Sequence, residues 1–438
     1  MPNKNTIKSY ISLLILLLIT VVPVFIFYQE ISFSNSFSPW PVLFSTLGKL
    51  TGLLGLAIFA LALLLSSRFV WLDKLFYGLP KVINLHRWFG TLSFTLIIFH
   101  PLFLAARLLP VSSQLAFGLF TNWTEAAMVF GYVSLLLFMA LIVMTFFWRM
   151  RYERLKSLHS LLAVPLMLGG VHSLLIESDV KRSPILAAYY ILLISTSVIF
   201  YLGRLFLVSR GIKAKPFVVS KVEQLNASIV GLTLKPVKKM IHAKAGQFIF
   251  VSFPDIKKGE EHPFSVAQIH PDNSLSIIAK NLGDHTAQWA KLKVGSTTMV
   301  DGPFGSFGDS LNLSCHQVWI AGGIGVTPFM SLARSLPDKN NITGVVDLFY
   351  IVNSEKDLVG LDAFKKLALD NPQFKLNVYT ADNNGRFDIE KLKKFISDLN
   401  ACHFYICGPA GMMKYFVSAL RQAGVPKKNI NVEAFQML

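Results

Sequence analysis

The sequence predicts a six-helix membrane bundle followed by a small antiparallel β-barrel and an α/β domain. Three observations carry this. Residues 1 to 207 are dominated by long apolar runs, the remainder alternates like ordinary globular sequence, and a strand, a glycine-rich turn and a helix succeed one another near residue 325. The 438 residues carry a formal net charge of +17, which would suit nucleic acid. The basic residues of the first half, however, cluster beside apolar runs, where they act as topology signals, and no nucleic-acid partner is expected. Cys315, Cys402 and Cys407 lie in the second half without paired metal spacing or a secretory disulfide pattern, which suits a reducing compartment.

The apolar runs mark spans at about 9–28, 41–66, 84–108, 125–148, 157–176 and 184–207, each long enough to cross a bilayer. The first is too long for a signal peptide and has no small-residue cleavage site. Lys and Arg concentrate at the amino terminus, between spans two and three (Arg68, Lys74, Lys81, Arg87), between four and five (Arg149, Arg151, Arg154, Lys156) and after span six (Arg210, Lys213, Lys215). The positive-inside rule puts these loops and both termini in the cytoplasm, which makes the chain a multi-pass protein of the cell (inner or plasma) membrane. The loop with Lys181 and Arg182 is basic yet outside, accompanied by Glu177 and Asp179.

Spans three and five carry His86 and His100, and His159 and His172. Histidine is expensive inside a bilayer, so four at matched depths ask for a function. The pairs are separated by fourteen and thirteen positions, about 20 Å along a helix, which fits two stacked haems in a hydrocarbon layer about 30 Å thick. Both spans run from inside to outside, so topology pairs His86 with His159 and His100 with His172, each pair a six-coordinate site suited to electron transfer. A spacing of fourteen returns to within about 40° of the starting face, but thirteen lands about 140° away. Span five should therefore be deformed, and Pro165, Gly169 and Gly170 lie where a helix bends. Lys49, several residues into span two, either snorkels to the outer interface or supplies a cation near the outer haem edge.

From about Lys215, residues 217–225, 228–236, 246–253 and 274–280 alternate with period two between turn residues, which indicates a small antiparallel barrel. Within it stand Gly246-Gln247-Phe248 and His262-Pro263-Phe264-Ser265, and later Gly283-Asp284-His285-Thr286, a turn that aims backbone N–H groups and a hydroxyl at an anion. Asp301-Gly302-Pro303-Phe304-Gly305 closes the barrel. A strand at 318–321 then runs into Gly322-Gly323-Ile324-Gly325-Val326-Thr327-Pro328 and a helix, the context in which a glycine string becomes a credible dinucleotide site. Pro328 suits the first turn of that helix. Strands at 345–352 and 374–381 alternate with helices before Cys407-Gly408-Pro409 and the tail Glu433-Ala434-Phe435.

These motifs, in this order behind the four histidines, resemble the transmembrane NADPH oxidase and ferric reductase family of the bacterial six-helix type, with its ferredoxin-reductase-type module. The resemblance covers about residues 41 to 438. It implies three domains: a six-helix haem-binding, ferric reductase-like domain at 1–207, an FAD-binding barrel at 208–310 and a Rossmann-like NAD(P)H domain at 311–438. It implies that His262, Pro263, Phe264 and Ser265 hold FAD, with the histidine near the diphosphate, and that Gly283 and Thr286 complete the phosphate site. Gly322, Gly323, Gly325, Thr327 and Pro328 would receive the nicotinamide dinucleotide. Cys407, Gly408 and Pro409 would line the nicotinamide site, and Phe435 would cover the flavin face. The competing readings are a buried small hydrophobe for Cys407 and a core phenylalanine for Phe435.

For the 2′-phosphate of NADPH the candidates are Ser354, Lys356 and Arg386, against plain solvated surface; NADPH is preferred to NADH. The cofactors expected are thus FAD, two b-type haems and NADPH. The activity expected is transfer of electrons from cytoplasmic NADPH to an external one-electron acceptor, O2 giving superoxide or Fe(III) giving Fe(II). O2 is preferred because of Lys49 and because no chelate-binding domain is visible. A rival is a membrane-anchored flavin reductase without haem. A nucleotide-gated transporter would need a hydrated polar path that these spans lack. No EF-hand precedes the first span, so regulation by such a domain is not expected, and no obligate protein partner is evident.

Overall fold

The computed structural model describes residues 4–30, 39–121, 123–147, 152–209, 214–238, 240–256, 260–309, 311–336 and 344–433. Phe435 lies outside the described residues. The chain forms two compact units, Met1–Phe76 with Lys81–Phe206, and Tyr77–Pro80 with Leu207–Leu438.

In the first unit the helices are α1 (Lys4–Glu30), α2 (Trp40–Leu65), α3 (Val70–Phe76), α4 (Leu79–Ala106), α5 (Ser113–Thr121), α6 (Ala126–Phe147), α7 (Tyr152–Ser160), α8 (Ala163–Leu175), α9 (Asp179–Arg182) and α10 (Pro184–Ser209). Six stretches are long and apolar enough to cross a membrane: Ile11–Gln29, Trp40–Leu65, Leu79–Ala106, Ala126–Phe146, Ser157–Leu175 and Pro184–Leu207. They meet the spans read from sequence to within five residues at either end. The enclosed helix is α2, whose Ala57, Ala60 and Leu61 are fully buried. Its glycines explain how α4 packs so closely: a Cβ on Gly48 would come within 2.6 Å of Leu104, and one on Gly55 within 2.8 Å of Ile97. Phe59 of α2 stacks on Phe138 of α6 with centroids 4.3 Å apart.

Span five is deformed, as its histidine spacing requires, but upstream of the expected bend. Leu161 and Leu162 form a turn between α7 and α8. Pro165 is the cause we assign: it has no N–H to give the carbonyl of Leu161, and its ring would strike that carbonyl in a continuous helix. Gly169 and Gly170 stay helical in α8 and serve packing, against Ser134 and Ile194.

The second unit begins with β1 (Lys215–Asn226), β2 (Ile229–Pro236), β3 (Phe248–Ser252), β4 (His262–Ile269), β5 (Leu275–Lys280) and β6 (Thr297–Phe304), an antiparallel closed barrel in the order β1-β2-β5-β4-β3-β6. Its alternation turns Phe217, Leu232, Val251, Val266 and Ile277 inward around Trp289. Next come β7 (Gln317–Gly322), α11 (Thr327–Arg334), β8 (Val346–Val352), α12 (Leu361–Asp370), β9 (Phe374–Thr380), α13 (Ala381–Asn384), α14 (Ile389–Phe395), β10 (His403–Cys407), α15 (Ala410–Gln422) and β11 (Ile430–Glu433). The five strands are parallel, in the order β11-β10-β7-β8-β9. The order reverses between β7 and β10, which opens a crevice at their carboxyl ends, the usual ligand position in such sheets. Barrel and sheet are joined by polar contacts: Lys280 to Asp357 at 2.7 Å, Arg334 Nη1 to the Ala267 carbonyl at 2.8 Å, and the Gly246 N–H to Ser331 Oγ at 2.9 Å.

Candidate active site

The four histidines stand on α4, α7 and α8, and each directs Nδ1 at an acceptor on a neighbouring helix. His86 Nδ1 lies 2.8 Å from the Ala62 carbonyl, His100 Nδ1 2.7 Å from the Gly48 carbonyl, and His172 Nδ1 2.7 Å from the Ala127 carbonyl. A carbonyl only accepts, so Nδ1 carries the proton and Nε2 keeps its lone pair. His159 reaches the same state differently. The Thr145 hydroxyl donates to the Leu141 carbonyl at 2.7 Å and so offers His159 Nδ1 a lone pair, at a long 3.4 Å. Nδ1–H held by an outside acceptor with Nε2 left free is the usual state of an imidazole that ligates a metal.

The structure brings His86 beside His159 and sets His100 and His172 on one cavity. The rings of His86 and His159 stand nearly perpendicular, at 76°, with centroids 5.9 Å apart. That spacing leaves room for a metal that both imidazoles would hold. His100 and His172 line one cavity of about 720 Å³ together with Gly52, Gly131, Arg107 and Lys49. That is within the range of cofactor pockets, about 300–1,000 Å³. Among the described residues no group of three or more His, Cys, Asp or Glu gathers to hold a metal by itself, and the histidines stand as pairs. Arg107 Nε is buried with no hydrogen-bond partner. Facing a cavity in an apolar bundle, such a donor suits an anionic substituent, and haem carries two carboxylates. The residues present therefore fit haem.

Lys49 is not a free cation. Its ammonium pairs with Asp179 at 2.9 Å and stands over the Phe27 ring, so it remains at the cavity with its charge answered from α9. Arg107, seven positions beyond His100, was not singled out from the sequence, because one basic residue at a helix end reads as a topology signal.

In the barrel, His262 to Ser265 open β4. His262 Nε2 lies 3.0 Å from Glu260, its ring stands 4.1 Å from that of His285, and Phe264 packs on Trp289 at 4.5 Å. Ser265 is buried and paired with Phe248 of β3. Gly283 opens onto free space, where a side chain would meet nothing within 4 Å, and Thr286 is half-buried, with its hydroxyl accepting from the Leu282 N–H at 3.2 Å.

At the crevice, the strand, turn and helix read from sequence are present as β7, Gly323–Val326 and α11, with Pro328 in the first turn. Glycine is required here by close approach. A Cβ on Gly325 would sit 2.6 Å from the Cys407 carbonyl oxygen, and one on Gly408 2.9 Å from the Gly322 Cα. Two turns thus meet backbone to backbone at the carboxyl ends of β7 and β10. Thr327 donates its hydroxyl to the Ile324 carbonyl at 3.0 Å. Cys407 is buried in the α/β core, and burial together with Glu433 pushes its thiol well above the ordinary range. It is a neutral packing residue at this site, not a thiolate. Pro409 caps α15 beside it. Arg386 is exposed after β9, with its guanidinium 5.2 Å from the Tyr415 ring centroid.

Comparison with known proteins finds three matching families. A family described as the ferric reductase like transmembrane component matches residues 51–170, an FAD-binding domain family matches 214–318, and an oxidoreductase NAD-binding domain family matches 319–418. The chain is 31% identical over 193 residues to the electron transfer subunit of dihydroorotate dehydrogenase B (NAD(+)) of Fusobacterium nucleatum, covering 41% of this chain and 69% of that one. It is 26% identical over 231 residues to the phenol 2-monooxygenase reductase component DmpP of Pseudomonas sp. (strain CF600), covering 50% and 64%. The chain thus spans about two thirds of the length of these relatives. Among solved structures, an Amycolatopsis cytochrome P450 reductase, GcoB, is similar with a TM-score of 0.46 and 22% identity, over 51% of this chain and 69% of that one.

Proposed function

We propose that this chain, which belongs to the ferric reductase and NADPH oxidase family with a ferredoxin-reductase-type FAD and NAD(P) module, moves electrons from cytoplasmic NADPH across the membrane to O2, giving superoxide. One observation carries the reading: four intramembrane imidazoles, each with Nδ1 turned to an outside acceptor, arranged as an inner pair and an outer pair. Two b-type haems held by those pairs would supply one-electron chemistry, and FAD with NADPH would supply the two-electron donor side.

The chain's own residues divide the work. His86 and His159 would hold the inner group, and His100 and His172 the outer one. The carbonyls of Gly48, Ala62 and Ala127 fix tautomer and ring orientation and raise ligand basicity. His262 to Ser265, Gly283 and Thr286 would hold the flavin. Gly322, Gly323, Gly325, Gly408 and Pro409 admit the dinucleotide to the crevice, where the first turn of α11 favours its phosphates. Cys407 packs behind the nicotinamide position, and Phe435 is the residue we assign to cover the flavin. Arg386 is the cation we assign to the 2′-phosphate, hence NADPH. Lys49 is answered by Asp179, and Arg107 is the donor we assign to the carboxylates of the outer group. By the positive-inside rule, both termini and the nucleotide-binding unit face the cytoplasm of a cell membrane.

The test is spectroscopic and then chemical. The purified protein should show a bis-histidine b-type spectrum that NADPH reduces only when FAD is present. Cytochrome c reduction sensitive to superoxide dismutase, with little anaerobic Fe(III) reduction, supports O2. The reverse pattern establishes ferric iron, the second reading, which the description of the matching membrane family favours.

A further inference from the structure

The acceptors of the four Nδ1 atoms follow a rule that the histidines themselves do not reveal. On α2 the accepting carbonyls are Gly48 and Ala62, fourteen positions apart, which matches the fourteen between His100 and His86. On α6 the outer acceptor is Ala127, and the carbonyl fourteen positions on is Leu141. That carbonyl is taken by the Thr145 hydroxyl, which stands between it and His159. Span five has thirteen positions between its histidines and a broken helix, so His159 does not occupy the place that His86 occupies against α2. A threonine hydroxyl bridges the gap.

The outer pair shows a second regularity. Four residues beyond each outer carbonyl stands a glycine, Gly52 after Gly48 and Gly131 after Ala127. A Cβ on Gly52 would lie 2.6 Å from His100 Nδ1, and one on Gly131 would lie 2.8 Å from His172 Nδ1. In each case the imidazole occupies the space of an absent methyl group, with its N–H on the carbonyl one turn away. α2 against α4, and α6 against α8, thus present the same cradle twice.

We propose that Gly52, Gly131 and Thr145 are positioning residues for His100, His172 and His159, setting the ring orientations that present Nε2 to haem iron. The inference rests on the haem reading above. Gly52→Ala and Gly131→Ala each force an imidazole off its carbonyl, and each should weaken retention of the outer haem about tenfold or more. Thr145→Val should do this to the inner haem alone, and Thr145→Ser, which keeps the hydroxyl, should restore it.

The readout is haem per chain by pyridine haemochrome, together with the low-spin electron paramagnetic resonance signals. His172→Ala and His86→Ala identify the outer and inner signal. Gly170→Ala is the matched packing lesion, since its methyl would meet only Ile194 at 2.8 Å and 3.9 Å. It should lower thermal stability and leave both signals in place. If a glycine variant does not accumulate, the Thr145 pair decides by itself. Two haems in the wild type with unmoved signals in the variants, or Thr145→Ser behaving as Thr145→Val, would overturn the inference alone. A wild type that takes up no haem defeats the functional reading instead.

Discussion

At the scale of single residues, burial sets the protonation of groups that the sequence presents as reactive. Cys402 precedes β10 with its thiol donating to the Asp398 carbonyl at 3.3 Å. Desolvation, then Asp398 and Asp347, push its pKa to about 11 from an ordinary value of 9.0. Because the folded value is raised, the neutral thiol favours the folded state fully below pH 9, and that contribution is lost as pH rises through about 11. Thermal melts of the full chain, followed by the fluorescence of buried Trp319, should show an alkaline decline across that window. Cys402→Ala should cost about 1 kcal/mol at neutral pH and decline less steeply above pH 9. Parallel slopes for the two proteins would show that the thiol does not titrate with folding. Lys49 is met by a carboxylate 130 positions away that no local pattern links to it.

At the scale of elements, the break between α7 and α8 turns a thirteen-residue spacing into a usable pair of ligands. On an ideal helix His159 and His172 would point about 140° apart, so the interruption is a requirement for both to face α4. Pro165→Ala restores the missing N–H and removes the clash with the Leu161 carbonyl, which lets the helix run on. The variant should gain helical circular dichroism slightly, keep FAD and lose most of the inner haem. Full haem content at unchanged helicity would show that the break does not depend on the proline. That span five must deform was legible from the numbers 159 and 172. Its location was not, because proline acts on a carbonyl four residues upstream and leaves the glycines after it helical. The spans, the barrel strands and the strand-turn-helix at β7 were legible too, since hydropathy and glycine placement are properties of the residues at those positions. The cradles at Gly48, Ala62, Ala127 and Leu141 were not, because their working atoms are backbone carbonyls that any residue would supply. Only Gly52 and Gly131 left a trace in the sequence, and a glycine in a membrane helix has many other uses.

At the scale of the whole molecule, the two units face different solvents. The membrane unit exposes Leu14, Phe25, Trp88, Phe146 and Leu192 as a lipid face, whereas the second unit closes three cores of its own, two of them around Trp289 and Trp319. Lys280 with Asp357, and Arg334 with the Ala267 carbonyl, tie barrel to sheet, so flavin and nicotinamide would meet within one folded unit. If the histidine pairs make the apolar unit conductive, NADPH on one side must reduce an acceptor it never meets. In sealed proteoliposomes with the nucleotide-binding unit outward, externally added NADPH should reduce ferricytochrome c trapped in the lumen. The rate should depend on FAD and fall when internal superoxide dismutase is included. His172→Ala should stop the internal reaction and leave NADPH-dependent flavin bleaching at the outer surface intact. Because the same preparation reports both reactions, a folding defect in the second unit would remove both, whereas loss of the outer histidine should remove only one. Equal internal rates for the wild type and His172→Ala would mean that the electrons do not cross by way of this histidine.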